Sequence, residues 1–162
     1  ESYAYKHVAG ECASASCEAA IPAGGVVGYK DVPVEDTQAL LEAVAQQPVA
    51  TAVQGGQPAF QSYKSGILTQ NCSADVDHAV LIVGYGAENG TDYWKIKNSW
   101  ASTWGEKGYI YLEYSKNTCG LADDATIPTV SLNLSPEQEA KAAASRESMF
   151  FQATAGAHRI IV

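Results

Sequence analysis

The stretch from Asp77 to Trp100, DHAVLIVGYGAENGTDYWKIKNSW, decides how this chain folds. Ala79 to Tyr85 is continuously apolar, which predicts a buried central strand. Asp92 to Lys97 alternates between apolar and polar residues, the pattern of a strand with one face in the core. Between them Glu88-Asn89-Gly90-Thr91 is a hairpin connection, because Asn-Gly accepts the positive φ angles of a tight turn. The turn lies about midway between His78 and Asn98, so a hairpin brings these two residues toward each other.

Working outward, Tyr109 to Tyr114 is aromatic and β-branched and reads as the next strand. Ala125 to Val130 offers a closing strand. Val49 to Val53 alternates and reads as another, and a short one is expected near Val26 to Tyr29 within an otherwise irregular segment 1–33. Residues 35–47 predict a helix: Leu40, Leu41 and Val44 form an apolar stripe, acids lie at its start, and Pro48 stops it. Gly55-Gly56 marks a turn. Several antiparallel strands and one helix describe an α+β domain with a small barrel or sheet. Residues 131–162 differ in character. Ser135-Pro136-Glu137-Gln138 opens a helix, with Ser as cap and Gln at the capping-box position. An extension that is helical over 136–152 is expected, with Met149, Phe150, Phe151 and the terminal Ile160-Ile161-Val162 as its apolar surface.

With 162 residues, 46% of them hydrophobic, the chain is long enough for one domain with a core. It contains no apolar run long enough to cross a membrane as a helix. The net charge of −8, with no basic cluster, makes nucleic acid and anionic membrane surfaces poor partners. There is no initiator Met and no charged leader, which reads as a processed chain or a fragment. Cys12, Cys17, Cys72 and Cys119 fit no zinc spacing, so neither metal nor cofactor is expected. An even cysteine count suggests an oxidising compartment. Asn71, Asn89 and Asn133 each begin an Asn-x-Ser/Thr glycosylation tripeptide, consistent with a glycoprotein.

His78 and Asn98 form a chemically sensible pair. A histidine acting as general base needs an oriented ring and a fixed tautomer. An asparagine oxygen can accept from one ring N–H and leave the other nitrogen facing a nucleophile. A tryptophan over that hydrogen bond would exclude water and strengthen it.

The motifs as a set resemble papain-like cysteine proteases of the cathepsin L and plant type. They are Asp77-His78-Ala79-Val80 with Val83-Gly84-Tyr85-Gly86; Tyr93-Trp94-Lys95-Ile96-Lys97-Asn98-Ser99-Trp100; Trp104-Gly105-Glu106-Lys107-Gly108-Tyr109; and Cys119-Gly120-Leu121-Ala122. Glu1-Ser2-Tyr3-Ala4-Tyr5, Gly28-Tyr29-Lys30-Asp31-Val32-Pro33 and Gln47-Pro48-Val49 add to the likeness, which covers residues 1–130. The resemblance implies that this region is the C-terminal part of the protease domain, with its barrel-like right-hand half. It implies that His78 is the general base, Asn98 its orienting partner and Trp100 the cover over their bond. Trp104 would line the leaving-group side, with Ala52, Val76, Asp77 and Asp124 on the substrate side. Asp124 falls at the floor of the pocket for the second residue before the scissile bond, where an acid favours a basic side chain. A loop shift of one residue would turn Asp123 inward instead. Cys72 and Cys119 match a family disulfide. One of Cys12 and Cys17 would pair with a cysteine further toward the N-terminus, and the other either locally or with that same region.

The family's nucleophile sits in a C-G-[SA]-C-[WY] motif about 130–150 residues before its histidine and asparagine. No cysteine here precedes Trp or Tyr, so the nucleophile is expected roughly 50–70 residues before Glu1. The chain by itself is then a base with nothing to activate. Two readings follow. One is a cysteine endopeptidase acting on peptide or protein substrates, with the nucleophile and the left-hand domain on a missing segment or second chain. The other is a catalytically inactive homologue that binds peptides or serves as a structural subunit. Either belongs in a lysosomal, vacuolar or secreted setting. Ala101 stands where the family has glycine, and if that position needs a positive φ the alanine costs about 1 kcal/mol.

Overall fold

A computed structural model of the protein describes residues 6, 8–17, 21, 25–69 and 72–130. The hairpin is its centre. Strands β4 (His78–Glu88) and β5 (Thr91–Lys97) are antiparallel and joined at Asn89-Gly90, which take φ 51° and 80°. Both positive values are what a tight hairpin turn requires, so the Asn-Gly signal acted locally as expected.

The other elements are β1 (Val26–Asp31), α1 (Thr37–Gln46), β2 (Val49–Val53), α2 (Pro58–Gln61), β3 (Ile67–Leu68), β6 (Tyr109–Glu113) and β7 (Thr126–Val130). The strands form one sheet in the order β1-β7-β2-β4-β5-β6-β3. Ile82, Ile96 and Ile110 sit opposite one another on adjacent strands, and each is fully buried. Each such side chain contributes roughly 1.5–3 kcal/mol on burial. Between Ile82 and Gly84 the register slips, so two residues of β4 face one of β5. This bulge lets the unbroken apolar run keep Val80 and Ile82 inward and still turn Tyr85 onto the core.

Helix α1 packs Leu40, Ala43 and Val44 against the sheet, and Asp36 caps it by accepting from the Ala39 amide at 2.9 Å. Its C-terminal cap is Gln47, followed by the Pro48 that was expected to stop it.

Two expectations need correction. The sheet is open rather than barrel-like, because the edge strands β1 and β3 do not pair with each other. With two residues, β3 is too short to carry a closing ladder. It also runs parallel to β6 in an otherwise antiparallel sheet. A second helix, α2, flanks the sheet; with four residues and Pro58 in its first turn it is too short to show a helical period. The expected helix over 136–152 lies outside the described residues.

Cys72 and Cys119 form a disulfide across a sequence separation of 47, tying the segment before β4 to the turn at Thr118–Gly120. The same turn and the residue after it are bonded to β2 and the residue that follows it: the Gln54 amide donates to the Cys119 carbonyl at 2.9 Å, and the Thr51 hydroxyl to that of Leu121 at 2.7 Å. Closing a loop of that length restricts the unfolded chain by about 4 kcal/mol. Replacing both cysteines by serine should lower unfolding stability by an amount of that order, read from the denaturant midpoint. A change below about 1 kcal/mol would mean that the two backbone and side-chain bonds alone hold the turn.

Candidate active site

His78 opens β4, and Asn98 follows the last residue of β5, on the neighbouring strand. The His78 Nε2 lies 2.8 Å from the Asn98 Oδ1. The Ser99 amide also points at that oxygen, at 2.7 Å. A backbone N–H can only donate, so the Asn98 atom between them must be the carbonyl oxygen. His78 must then donate from Nε2, which leaves Nδ1 bare as an acceptor. The tautomer needed by a general base is therefore fixed by the backbone of the next residue. Asn98 is 8% exposed, and its Nδ2 is buried without an acceptor among the described residues.

Aromatic rings enclose the pair. Trp100 lies over the His78 ring with centroids 4.9 Å apart and planes tilted by 30°. Phe60, fully buried, meets His78, Trp100 and Trp104 at 6.1, 5.6 and 5.3 Å. Phe60 was not foreseen, because it comes from the short α2. The close packing of apolar rings lowers the local dielectric and strengthens the His–Asn bond.

On its other side His78 meets backbone. A Cβ on Gly55 would come within 2.7 Å of the His78 Cβ, so this position has room only for glycine. The Gly55 and Gly56 amides converge on the Asp77 carboxylate, at 2.7 Å and 3.1 Å. The Asp77 amide in turn donates to the Val53 carbonyl at 3.0 Å. Asp77 was expected on the substrate side; its carboxylate anchors the turn after β2 against the start of β4, one residue from His78.

Ala52 pairs with Ala79 across β2 and β4. Val76, 36% exposed, packs against Gly120, where an added Cβ would meet its Cγ1 at 2.8 Å. The two candidate aspartates separate clearly. Asp123 accepts from the Asn117 Nδ2 at 2.7 Å, whereas Asp124 is exposed and makes no hydrogen bond among the described residues. Of the sugar-acceptor candidates, Asn89 sits exposed at the hairpin tip, and Asn71 and Asn133 lie outside the described residues.

Trp104 donates from Nε1 to the Gln61 carbonyl at 3.0 Å and packs on Tyr63, centroids 5.7 Å apart. Burial, reinforced by the Glu106 charge, holds the Tyr63 phenol well above its usual range, so it remains a neutral donor. The loop between β5 and β6 is tightly wound: Ala101, Gly105, Lys107 and Gly108 all have positive φ, of 68°, 54°, 57° and 91°. Ala101 therefore carries the strain foreseen from sequence. Replacing Ala101 with Gly should raise the unfolding free energy by about 0.5 kcal/mol, the relieved strain less the offset from the freer unfolded chain. A thermal scan showing unchanged or lower stability would mean that the left-handed angle is not strained here.

Residues 1–129 match the model of the papain family cysteine proteases. The chain is 43% identical over 131 residues to germination-specific cysteine protease 1 of Arabidopsis thaliana, covering 78% of this chain and 34% of that protein. It is 50% identical over 105 residues to a cysteine proteinase of Brassica napus, covering 62% of this chain and 32% of that protein. It thus spans about a third of the length of these relatives. Among solved structures it is similar to the bromelain protease of Ananas comosus in complex with an inhibitor, with a TM-score of 0.72 and 36% identity over 80% of this chain and 60% of that one. A ragweed pollen allergen cysteine protease in its proform gives a TM-score of 0.72 and 38% identity over 81% of this chain and 41% of that one. With that match across its first 129 residues, the chain belongs to the papain family of cysteine proteases.

Proposed function

We propose that this chain is the base-bearing part of a cysteine-type endopeptidase, with the nucleophilic cysteine on a segment or chain outside these residues. The observation that carries the reading is the 2.8 Å contact between His78 and Asn98, with the Ser99 amide fixing the asparagine oxygen. In this reading the bare Nδ1 of His78 takes the proton of a thiol. The thiolate attacks the peptide carbonyl, and His78 then returns the proton to the leaving amine. Asn98 keeps the ring in register through both transfers, and Trp100 excludes water from the bond. Residues 1–130 act as the C-terminal part of the protease domain, and 131–162 as a separate extension.

Ala52 and Val76 would line the pocket for the second residue before the scissile bond. The free carboxylate of Asp124 favours a basic side chain there over the neutral ones. Asp123, held by Asn117, is the weaker candidate. The disulfide fits a vacuolar, lysosomal or secreted setting, and the exposed Asn89 fits glycosylation there. No helix among the described residues is long and apolar enough to cross a membrane.

A second reading, an inactive homologue that binds peptides or serves as a subunit, is favoured by one observation. The alanine at position 101 keeps a left-handed backbone that glycine would adopt without strain.

A thiol-directed active-site probe followed by mass spectrometry of the native material separates the two. The endopeptidase reading predicts that a polypeptide carrying the missing segment takes up the probe. It also predicts that His78→Ala lowers peptide cleavage by about 10²–10⁴-fold. Failure of any thiol to react, with no cleavage by the wild type, would leave the binding reading standing.

A further inference from the structure

One carboxylate helps to hold the loop that carries Trp104 from outside. The Glu106 Oε1 accepts from the Gly66 amide at 2.8 Å, and the Tyr63 hydroxyl lies 3.3 Å from the same oxygen. That hydroxyl gives its one proton to the Gly66 carbonyl at 2.6 Å, so Gly66 is held through its amide by Glu106 and through its carbonyl by Tyr63. Gly66 has a φ of 81°, and Glu106 is half-buried. Packing makes the group a stop for the loop. A Cβ on Gly105 would meet the Tyr109 carbonyl at 2.5 Å and the Tyr63 ring at 3.0 Å, so the backbone lies flat against both. Within the loop, Gly108 donates to the Trp104 carbonyl at 2.8 Å, and the Asn98 amide donates to the Gly108 carbonyl at 2.9 Å.

The loop holds two residues with a Cβ, Ala101 and Lys107, at positive φ, a conformation such residues disfavour. Its attachments to the segment after β2 are the Trp104–Gln61 bond, ring contacts, and the Glu106 group. Of these, only Glu106 brings a charge-assisted bond. The Glu106 side chain makes no hydrogen bond to His78 or Asn98 among the described residues; its oxygen faces Gly66 and Tyr63.

Resting on the endopeptidase reading, we propose that Glu106 is a positioning residue for the leaving-group side of the cleft: through Gly66 and Tyr63 it sets where Trp104 stands. It touches no reacting atom. Loss of the carboxylate should let the Trp104 wall drift while His78 and Asn98 stay paired, and small displacements of a positioning group cost substantial rate. The effect should then depend on whether the substrate has residues beyond the scissile bond.

The experiment uses the assembled protease with its nucleophile-bearing segment. Glu106→Ala and Glu106→Gln are compared on two substrates: a quenched peptide with residues on both sides of the bond, and a peptide whose leaving group is a coumarin dye. Glu106→Ala is expected to lower kcat/KM about tenfold on the two-sided peptide and to stay within about twofold on the dye peptide. Glu106→Gln, which keeps an acceptor for Gly66, should recover most of the loss. Amide exchange at Gly66 and Gly108 should rise at least about tenfold in Glu106→Ala. Equal losses on both substrates, no loss on either, or unchanged exchange would overturn the proposal. If Glu106→Ala fails to assemble, Tyr63→Phe, which keeps the ring and removes only the hydroxyl, is read by the same substrate ratio and the same exchange. A wild type that cleaves neither substrate refutes the endopeptidase reading and the Glu106 role with it, while the exchange still reports whether the bonds hold the loop.

Discussion

The oxygen of the Asn98 side chain receives two hydrogen bonds at once, from the Ser99 amide and from His78. The rest of the site depends on this double acceptance. If the amide were reversed, an NH₂ group would face the Ser99 N–H, and two donors would oppose each other in a buried position. The site thus admits one orientation of Asn98 and one tautomer of His78. The fold serves this constraint by placing the two residues at matching ends of paired strands. The Asn89-Gly90 turn sets the register, and the buried isoleucines on β4, β5 and β6 hold it.

Around that centre a few side chains tie backbone turns in place. Gly55 lets the turn after β2 lie against His78, and the Asp77 carboxylate locks that turn through two amides. The turn at Thr118–Gly120 is tied three ways: by the disulfide, by the Gln54 amide and by the Thr51 hydroxyl. The loop from Ala101 to Gly108 holds Ala101 and Lys107 at positive φ and carries Trp104. A wall built on a strained loop stands where its outside anchors put it, which is why Glu106 matters beyond its own neighbourhood.

Much of this was legible in the sequence, and for physical reasons. The central hairpin announced itself because turn chemistry and strand alternation are local signals, read within a dozen residues. The capped helix α1 did so for the same reason. His78 and Asn98 were readable as a pair because the hairpin converts sequence distance into proximity. The positive φ of Ala101 was anticipated only through the glycine of the resembling family, as was the pairing of Cys72 with Cys119. What stayed hidden depends on tertiary contacts. Phe60 sits in a helix too short for a period, and β3 is two residues that form a strand only by lying beside β6. The open edges of the sheet follow from that short strand. Asn117 reaches Asp123 and not Asp124, a difference that no local pattern encodes.

The central claim is that Ser99 and Asn98 force His78 into the tautomer protonated at Nε2. Nitrogen-15 NMR of the imidazole, recorded above the pH at which the ring loses its charge, tests it most directly. The account predicts a protonated, pyrrole-like Nε2 and a bare, pyridine-like Nδ1, with Asn98→Ala mixing the two forms. A neutral ring protonated at Nδ1 in the unaltered protein would contradict it, because the nitrogen meant to receive the thiol proton would already be occupied.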